Sequence, residues 1–374
     1  REMGLRAVAG AVQENNPTVQ ALRENAESIE ESGSLAGASG GSGSVSPIDI
    51  LNAQIQGLEQ AMQGLDTESD LYKTYAVQKS LLEAQVEELE GSLSSSMAQG
   101  EMALLQLGDA AYQVRRQADN IEGQLAQTAQ TLLITIQNLK YNRGQLERQL
   151  ASLDRTIDVA EVQLSIGTIS QYQMDLYRNQ RDNLARTIDT LQTQCESLGS
   201  SIALLCGYDA DTVVMPSTLA PVYDSQLREM SYEDDLELAK QNSFSIWQKR
   251  SELRQAQNAY DEDISGTDYA VQSAKDALAA EQQAVESSFG TIFQGVADSR
   301  AALDAARTAE QQAELDFRTS QVQYSRGMIS ELAYRQAQDT LENAKDAVEI
   351  AQLNLTSAYN QYEWAKQGVM TTAA

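Results

Sequence analysis

Residues 132–164 read LLITIQNLKYNRGQLERQLASLDRTIDVAEVQL, and the spacing of their apolar side chains decides the fold. Stepping alternately by four and three from Leu132 meets Ile136, Leu139, Arg143, Leu146, Leu150, Leu153, Ile157, Ala160 and Leu164; eight of these ten are Leu or Ile. An apolar repeat of 3.5 residues held this long keeps one seam facing a partner helix and implies left-handed coiled-coil packing. After Gly167 the seam resumes as Leu184, Ile188, Leu191, Cys195, Leu198, Ile202 and Leu205. Two seamed helices joined by a short turn fold back antiparallel.

The second half of the chain repeats this plan. A shift of 160 residues lays Gly167-Thr-Ile-Ser170 on Gly327-Met-Ile-Ser330. The spacing predicts a short helix over 232–260, a break at 261–268 (DEDISGTD), a long helix to Ser325, a turn at Gly327 and a return helix from Ser330 to Lys366. Its seam is Ala344, Val348, Ala351, Leu355, Ala358, Tyr362 and Ala365, which alternates large with small residues and favours close packing. Phe289, Phe293 and Phe317 lie near the helical seam and read as core rather than as a ligand site.

Upstream, a helix is expected over Glu2–Glu31, followed by SGSLAGASGGSGSVSP at 32–47, a flexible composition that fits an engineered linker or a natural Gly/Ser loop. Pro47 opens a further helix over 48–93, the Ser-rich 92–100 stretch breaks it, and the long helix begins near Glu101. Between the halves, CGYDADTVVMPSTLAPVYDS at 206–225 cannot be one helix, because Pro216 and Pro221 lack the N–H that a helix interior needs. Val213-Val214 offers a very short extended piece there. The fold class is therefore all-α: two tandem long antiparallel coiled-coil hairpins in an elongated helical bundle or part of an α-barrel. The repeats span 1–207 and 231–374, with 208–230 as the linker between them.

Composition narrows function. The chain carries 54 acidic and 27 basic residues and no histidine. A net charge of −27 repels nucleic-acid phosphates and anionic lipid, although solubility alone also explains it. Without histidine, a Gly-rich phosphate loop or a cluster of metal-ligand residues, catalysis, a metal and a cofactor are not expected. Cys195 and Cys206 are eleven residues apart on one helix, roughly 16 Å along its axis and too far for a disulfide. No apolar run reaches the ~18 residues of a transmembrane helix. No signal peptide is visible; a targeting segment would have been removed by processing or cloning.

Several spaced motifs together resemble the TolC-like outer-membrane efflux family. The first half offers Ala11-Val-Gln-Glu-Asn-Asn-Pro17, then Gly167-Thr-Ile-Ser170, then Leu204-Leu-Cys-Gly207; the second offers Ala239-Lys-Gln-Asn-Ser243 and Tyr324-Ser-Arg-Gly-Met-Ile-Ser330. The step from turn glycine to closing glycine is 40 residues in the first half and 41 in the second, where Gly368 closes it. The resemblance covers most of the chain, and the order and duplicated spacing carry it. It implies a homotrimer whose hairpins wall a tapered tunnel, in an extracytoplasmic, cell-envelope setting. It also implies that the hairpin tips meet a periplasmic membrane-fusion (adaptor) protein of an efflux pump. By position the docking residues would be Ile166, Gly167, Thr168, Ile169 and Ser170, with Arg326, Gly327, Met328, Ile329 and Ser330. A simpler account of the same turns is that Gly takes the left-handed conformation and Ser caps the next helix. Tyr172, Asp175, Tyr324 and Arg326 are candidates for a tunnel constriction, or else side chains on exposed helix ends. The chain departs from the family pattern in three places. The segments at 32–47 and 261–268 do not offer the membrane strands of a barrel, the 48–93 helix is extra, and Asp175 falls two positions late. The alternative function is a non-channel structural or interaction protein of the envelope built from the same repeat.

Overall fold

A computed structural model describes residues 1–35, 103–209, 211–260, 264 and 266–370, with a few positions between 55 and 87. Its elements are β1 (Glu2–Met3), α1 (Leu5–Asn15), α2 (Pro17–Leu35), α3 (Ala103–Ser165), α4 (Gln171–Leu205), β2 (Met215–Pro216), α5 (Asp224–Arg228), α6 (Tyr232–Asn242), α7 (Phe244–Asn258), α8 (Thr267–Ser325) and α9 (Glu331–Lys366). The all-α expectation holds, with α3–α4 and α8–α9 as the two long hairpins. Most of the expected 32–47 linker and 48–93 helix lies outside the described residues. Where that helix is described, at 55–56, 59, 76, 79–80, 83 and 86–87, the backbone is helical.

Two compact units make up the described chain. The first contains 1–7, 127–203 and 210–374. In it α3 pairs with α4 along the sequence-read seam: Ile136, Ile157, Ala160, Cys195, Leu198 and Ile202 are buried. Exposed ion pairs flank that seam, Arg181 to Asp154 at 2.9 Å and Arg178 to Glu161 at 3.2 Å. α9 pairs with α8 around Phe289, Val296, Leu303, Leu355 and Tyr362. The two hairpins meet through α3 and α9. Arg148 bonds Asp346 and Asn343 (3.0 Å to the latter), and Arg155 reaches Asp339 at 2.5 Å. Among the four long helices the lateral order is therefore α4–α3–α9–α8, and α8 also packs against α6 and α7.

Gln130 on α3 is a buried crossing point of this unit. Its amide donates to the Leu5 carbonyl at 2.8 Å and accepts from Asn360 at 2.8 Å and from the Trp364 indole at 2.7 Å. A second buried polar group is Asp235 on α6, which accepts from the Ser231 N–H at 2.8 Å and from the Tyr362 hydroxyl. Burial and the Asp235 carboxylate push the Tyr362 phenol well above its ordinary range, and burial beside Glu363 pushes Tyr359 up to about 12. These phenols keep their protons in the fold after the unfolded chain has lost them. Stability is therefore present below pH ~10 and falls as pH rises through and beyond that value. Alkaline titration of tyrosinate absorbance should show Tyr359 and Tyr362 among the phenols that ionise late, together with unfolding, and Tyr362→Phe should reduce that late phase by one phenol.

The second unit contains 8–126 and 204–209. Val8, Val12, Val19, Leu22 and Ala26 form its buried stripe on α1 and α2. Leu22 meets Ala118 and Ile121 of α3, and Ala26 meets Val114.

Three expectations need correcting. The helix expected over 2–31 is divided at Asn16, whose side chain accepts the N–H groups of Thr18 and Val19 at 2.9 and 3.2 Å while Pro17 takes the first helical position. The helix expected over 232–260 is divided in the same way at Ser243, which caps α7 through Ile246. In the linker the extended residues are 215–216, paired in parallel with Glu2–Met3, rather than 213–214. The flanking residues Met215 and Ser217 donate to Arg1 and Met3, so Pro216 sits where no donor is required. The linker also holds a short helix, α5, which the prolines did not suggest.

Candidate functional site: the hairpin tips

Both hairpin turns close by one geometry. Gly167 has φ 78° and Gly327 φ 69°, the left-handed region in which glycine pays no Cβ penalty. The Gly167 N–H reaches the Leu164 carbonyl at 3.0 Å and the Thr168 N–H reaches Gln163 at 2.9 Å. At the other tip, Gly327 reaches Tyr324 at 2.9 Å and Met328 reaches Gln323 at 2.8 Å. These paired bonds form a Schellman motif, which satisfies the last carbonyls of α3 and α8. The next helix then starts on a serine cap: Ser170 accepts from Gln173 at 3.2 Å and Ser330 from Ala333 at 3.1 Å.

The turns share a backbone but differ in what they present. Ile169 is half-buried and packs with Leu153, Ile157, Ala160, Leu164, Met174 and Tyr177 in the hairpin's own core, and Ile329 is half-buried at the matching place. The outward apolar residues are Ile166, 69% exposed, and Met328, 68% exposed. One precedes its glycine and the other follows it. A Cβ on Gly167 or Gly327 would meet nothing within 4 Å, so the space above both turns is open. Thr168, Ser170, Arg326 and Ser330 are exposed around it.

The constriction candidates separate. Tyr172 stands 73% exposed, and Asp175 is exposed and accepts from Gln171 at 3.0 Å. Tyr324 stacks on Tyr334 with ring centroids 4.7 Å apart, and Tyr334 stacks on Phe317 at 5.6 Å. Tyr334 was not singled out from the sequence. Its signal is the 160-residue shift, which places it on Met174, the fully buried residue of the first tip. The first tip is thus filled by aliphatic side chains around Met174 with one ring, Tyr177, and the second by a stack of three aromatic rings.

The motifs at the other end of each repeat also find a physical role. Asn16 donates to the Leu205 carbonyl at 2.7 Å, and Asn242 donates to the Lys366 carbonyl at 2.8 Å. Gly207 lies against Asn15 and Gly368 against Asn242, each with positive φ. In each repeat the junction of two short helices is pinned to the C-terminal turn of the return helix. Cys195 and Cys206 are both buried and form no disulfide, and the Cys206 thiol lies against the Val8 carbonyl. Among the described residues no group of three or more Cys, Asp or Glu could hold a metal ion.

No known family profile matches the sequence, and neither does any curated protein. Solved structures do. The outer membrane protein VceC of Vibrio cholerae aligns over 98% of this chain and 96% of its own, with a TM-score of 0.54 at 11% identity. A membrane protein from Pseudomonas aeruginosa aligns over 98% and 90%, with a TM-score of 0.52 at 12% identity. CusC, described through transmembrane channel formation, aligns over 92% and 96%, with a TM-score of 0.52 at 10% identity. The fold is therefore the TolC-like one that the paired turns pointed to.

Proposed function

We propose that this chain is a TolC-like efflux or secretion conduit component of the cell envelope, outside the cytoplasm, acting as a homotrimer whose hairpin tips dock an adaptor protein. The observation that carries the docking is the pair of glycine turns with open space above them and one outward apolar residue each, Ile166 and Met328. A partner helix tip can approach the backbone there and cover a methyl-rich surface without displacing a side chain. Support for a closed ring comes from the lateral order α4–α3–α9–α8. Its edges leave Leu176 on α4 and Leu315 and Val322 on α8 exposed, and further copies would cover them. A passive conduit also needs no catalytic group.

Two measurements test this. Light scattering should give a trimer, and a stable monomer at high concentration would exclude the ring. In a pull-down with an adaptor-type helical hairpin, the double variant Gly167→Arg/Gly327→Arg should lose binding by at least tenfold while keeping its helical circular dichroism. Undiminished binding by that variant would remove tip docking and leave the non-channel envelope protein as the better reading.

A further inference from the structure

The link between α7 and α8 decides how this chain can meet a membrane. α7 ends at Asn258 and α8 begins at Thr267, so only residues 259–266 connect them. The ends of the link are already turning. The Tyr260 N–H bonds back to Gln257 at 3.3 Å, the Thr267 hydroxyl donates to the Ile264 carbonyl at 3.0 Å, and Gly266 starts α8 with φ 101°.

Among the described residues no helix is long and apolar enough to cross a membrane. A crossing there would have to use strands. A membrane strand takes ~9–11 residues, and a barrel's apolar band is about 25 Å tall. Fully stretched, a link of this length spans about 28 Å; leading out and back, it reaches about 14 Å, little over half the band. Its sequence also places Asp261, Glu262 and Asp263 in a row, where a barrel strand would alternate apolar and polar residues.

The described positions between 55 and 87 are helical. Lys79 lies 2.7 Å from Glu59 and 3.4 Å from Glu83, and Val86 packs with Ala26, Ile29 and Val114. Even one membrane hairpin per copy would give a trimer six strands, fewer than the roughly eight of the smallest bacterial barrels.

We infer that this protein forms no membrane β-barrel of its own, and that the end of α8 remote from Gly327 is a helical rim in water. Any membrane that its conduit serves is crossed by a different protein. The inference does not depend on adaptor docking at the tips.

The test uses the full chain purified without detergent and mixed with vesicles of phosphatidylethanolamine and phosphatidylglycerol. The expected result is a water-soluble helical protein that stays at the bottom of a flotation gradient and gives no stepwise conductance in a planar bilayer. Precipitation without detergent, flotation that survives a carbonate wash, or stepwise conductance would each overturn it. The Gly167→Arg/Gly327→Arg variant should behave identically in these assays, so loss of tip docking and loss of this inference are read separately.

Discussion

Alanine at Gly368 or Gly207 should cost the fold about 3–5 kcal/mol, whereas alanine at Gly327 or Gly167 should cost about 1 kcal/mol. All four glycines have positive φ, so each substitution carries the left-handed penalty of an L-residue. The difference lies in what the new Cβ meets. At Gly368 it would stand 2.4 Å from the carbonyl carbon and oxygen of Asn242 and 2.7 Å from the Ser243 nitrogen. At Gly207 it would stand 2.1 Å from the Asn15 carbonyl oxygen. These are backbone atoms, and no rotamer change moves them away. The helix junction must retreat, which loosens the Asn16–Leu205 or Asn242–Lys366 bond, each worth about 1 kcal/mol. At the tips nothing stands in the way. Urea denaturation of the four single variants measures this ordering. Equal losses at all four would show that the junctions are not close-packed.

Gln130→Leu should be the most damaging polar-to-apolar change, at about 3 kcal/mol. The volumes nearly match, so the cost is not a cavity. It comes from three groups that lose a partner at once: the Leu5 carbonyl, the Asn360 amide and the Trp364 indole N–H. Each buried orphan costs about 1–3 kcal/mol, and partial relaxation toward water lowers the total. Trp364→Phe removes one of the same bonds, so in the double variant the two losses should fall short of adding. Full additivity would mean that the indole and the amide do not act together. Thermal melts of the two single variants and the double variant supply the comparison.

The hairpins were legible because their seams are long. A leucine or isoleucine at eight of ten seam positions from 132 to 164 leaves one helical phase in which they share a face. The junctions at Asn16 and Ser243 were not legible as breaks, because an N-cap residue within an unbroken apolar pattern also reads as a surface position. Gln130 looked like any polar residue on a helix face, since its partners come from residues 5, 360 and 364, far away in sequence. At the tips the glycines and serine caps were read correctly as turn chemistry. Which isoleucine faces inward was not, because Ile166 and Ile169 are three apart and only the backbone reversal between them sends them to opposite sides. The role of Tyr334 was not legible because its stacking partners, Phe317 and Tyr324, belong to the other helix of the hairpin.

The unequal filling of the two tips bears on how a tandem repeat avoids folding with the wrong half. The helices share register, length and turn, so α3 could in principle zip with α9, or α8 with α4, during synthesis. Such exchanges would set Leu164 and Ile157 where Tyr334 meets rings, and Phe317 and Tyr324 where Met174 packs among mostly aliphatic side chains. Each exchanged pair would be over- or under-filled near its turn, where a hairpin starts to close. The mismatch disfavours the exchanged hairpins relative to the native pairs.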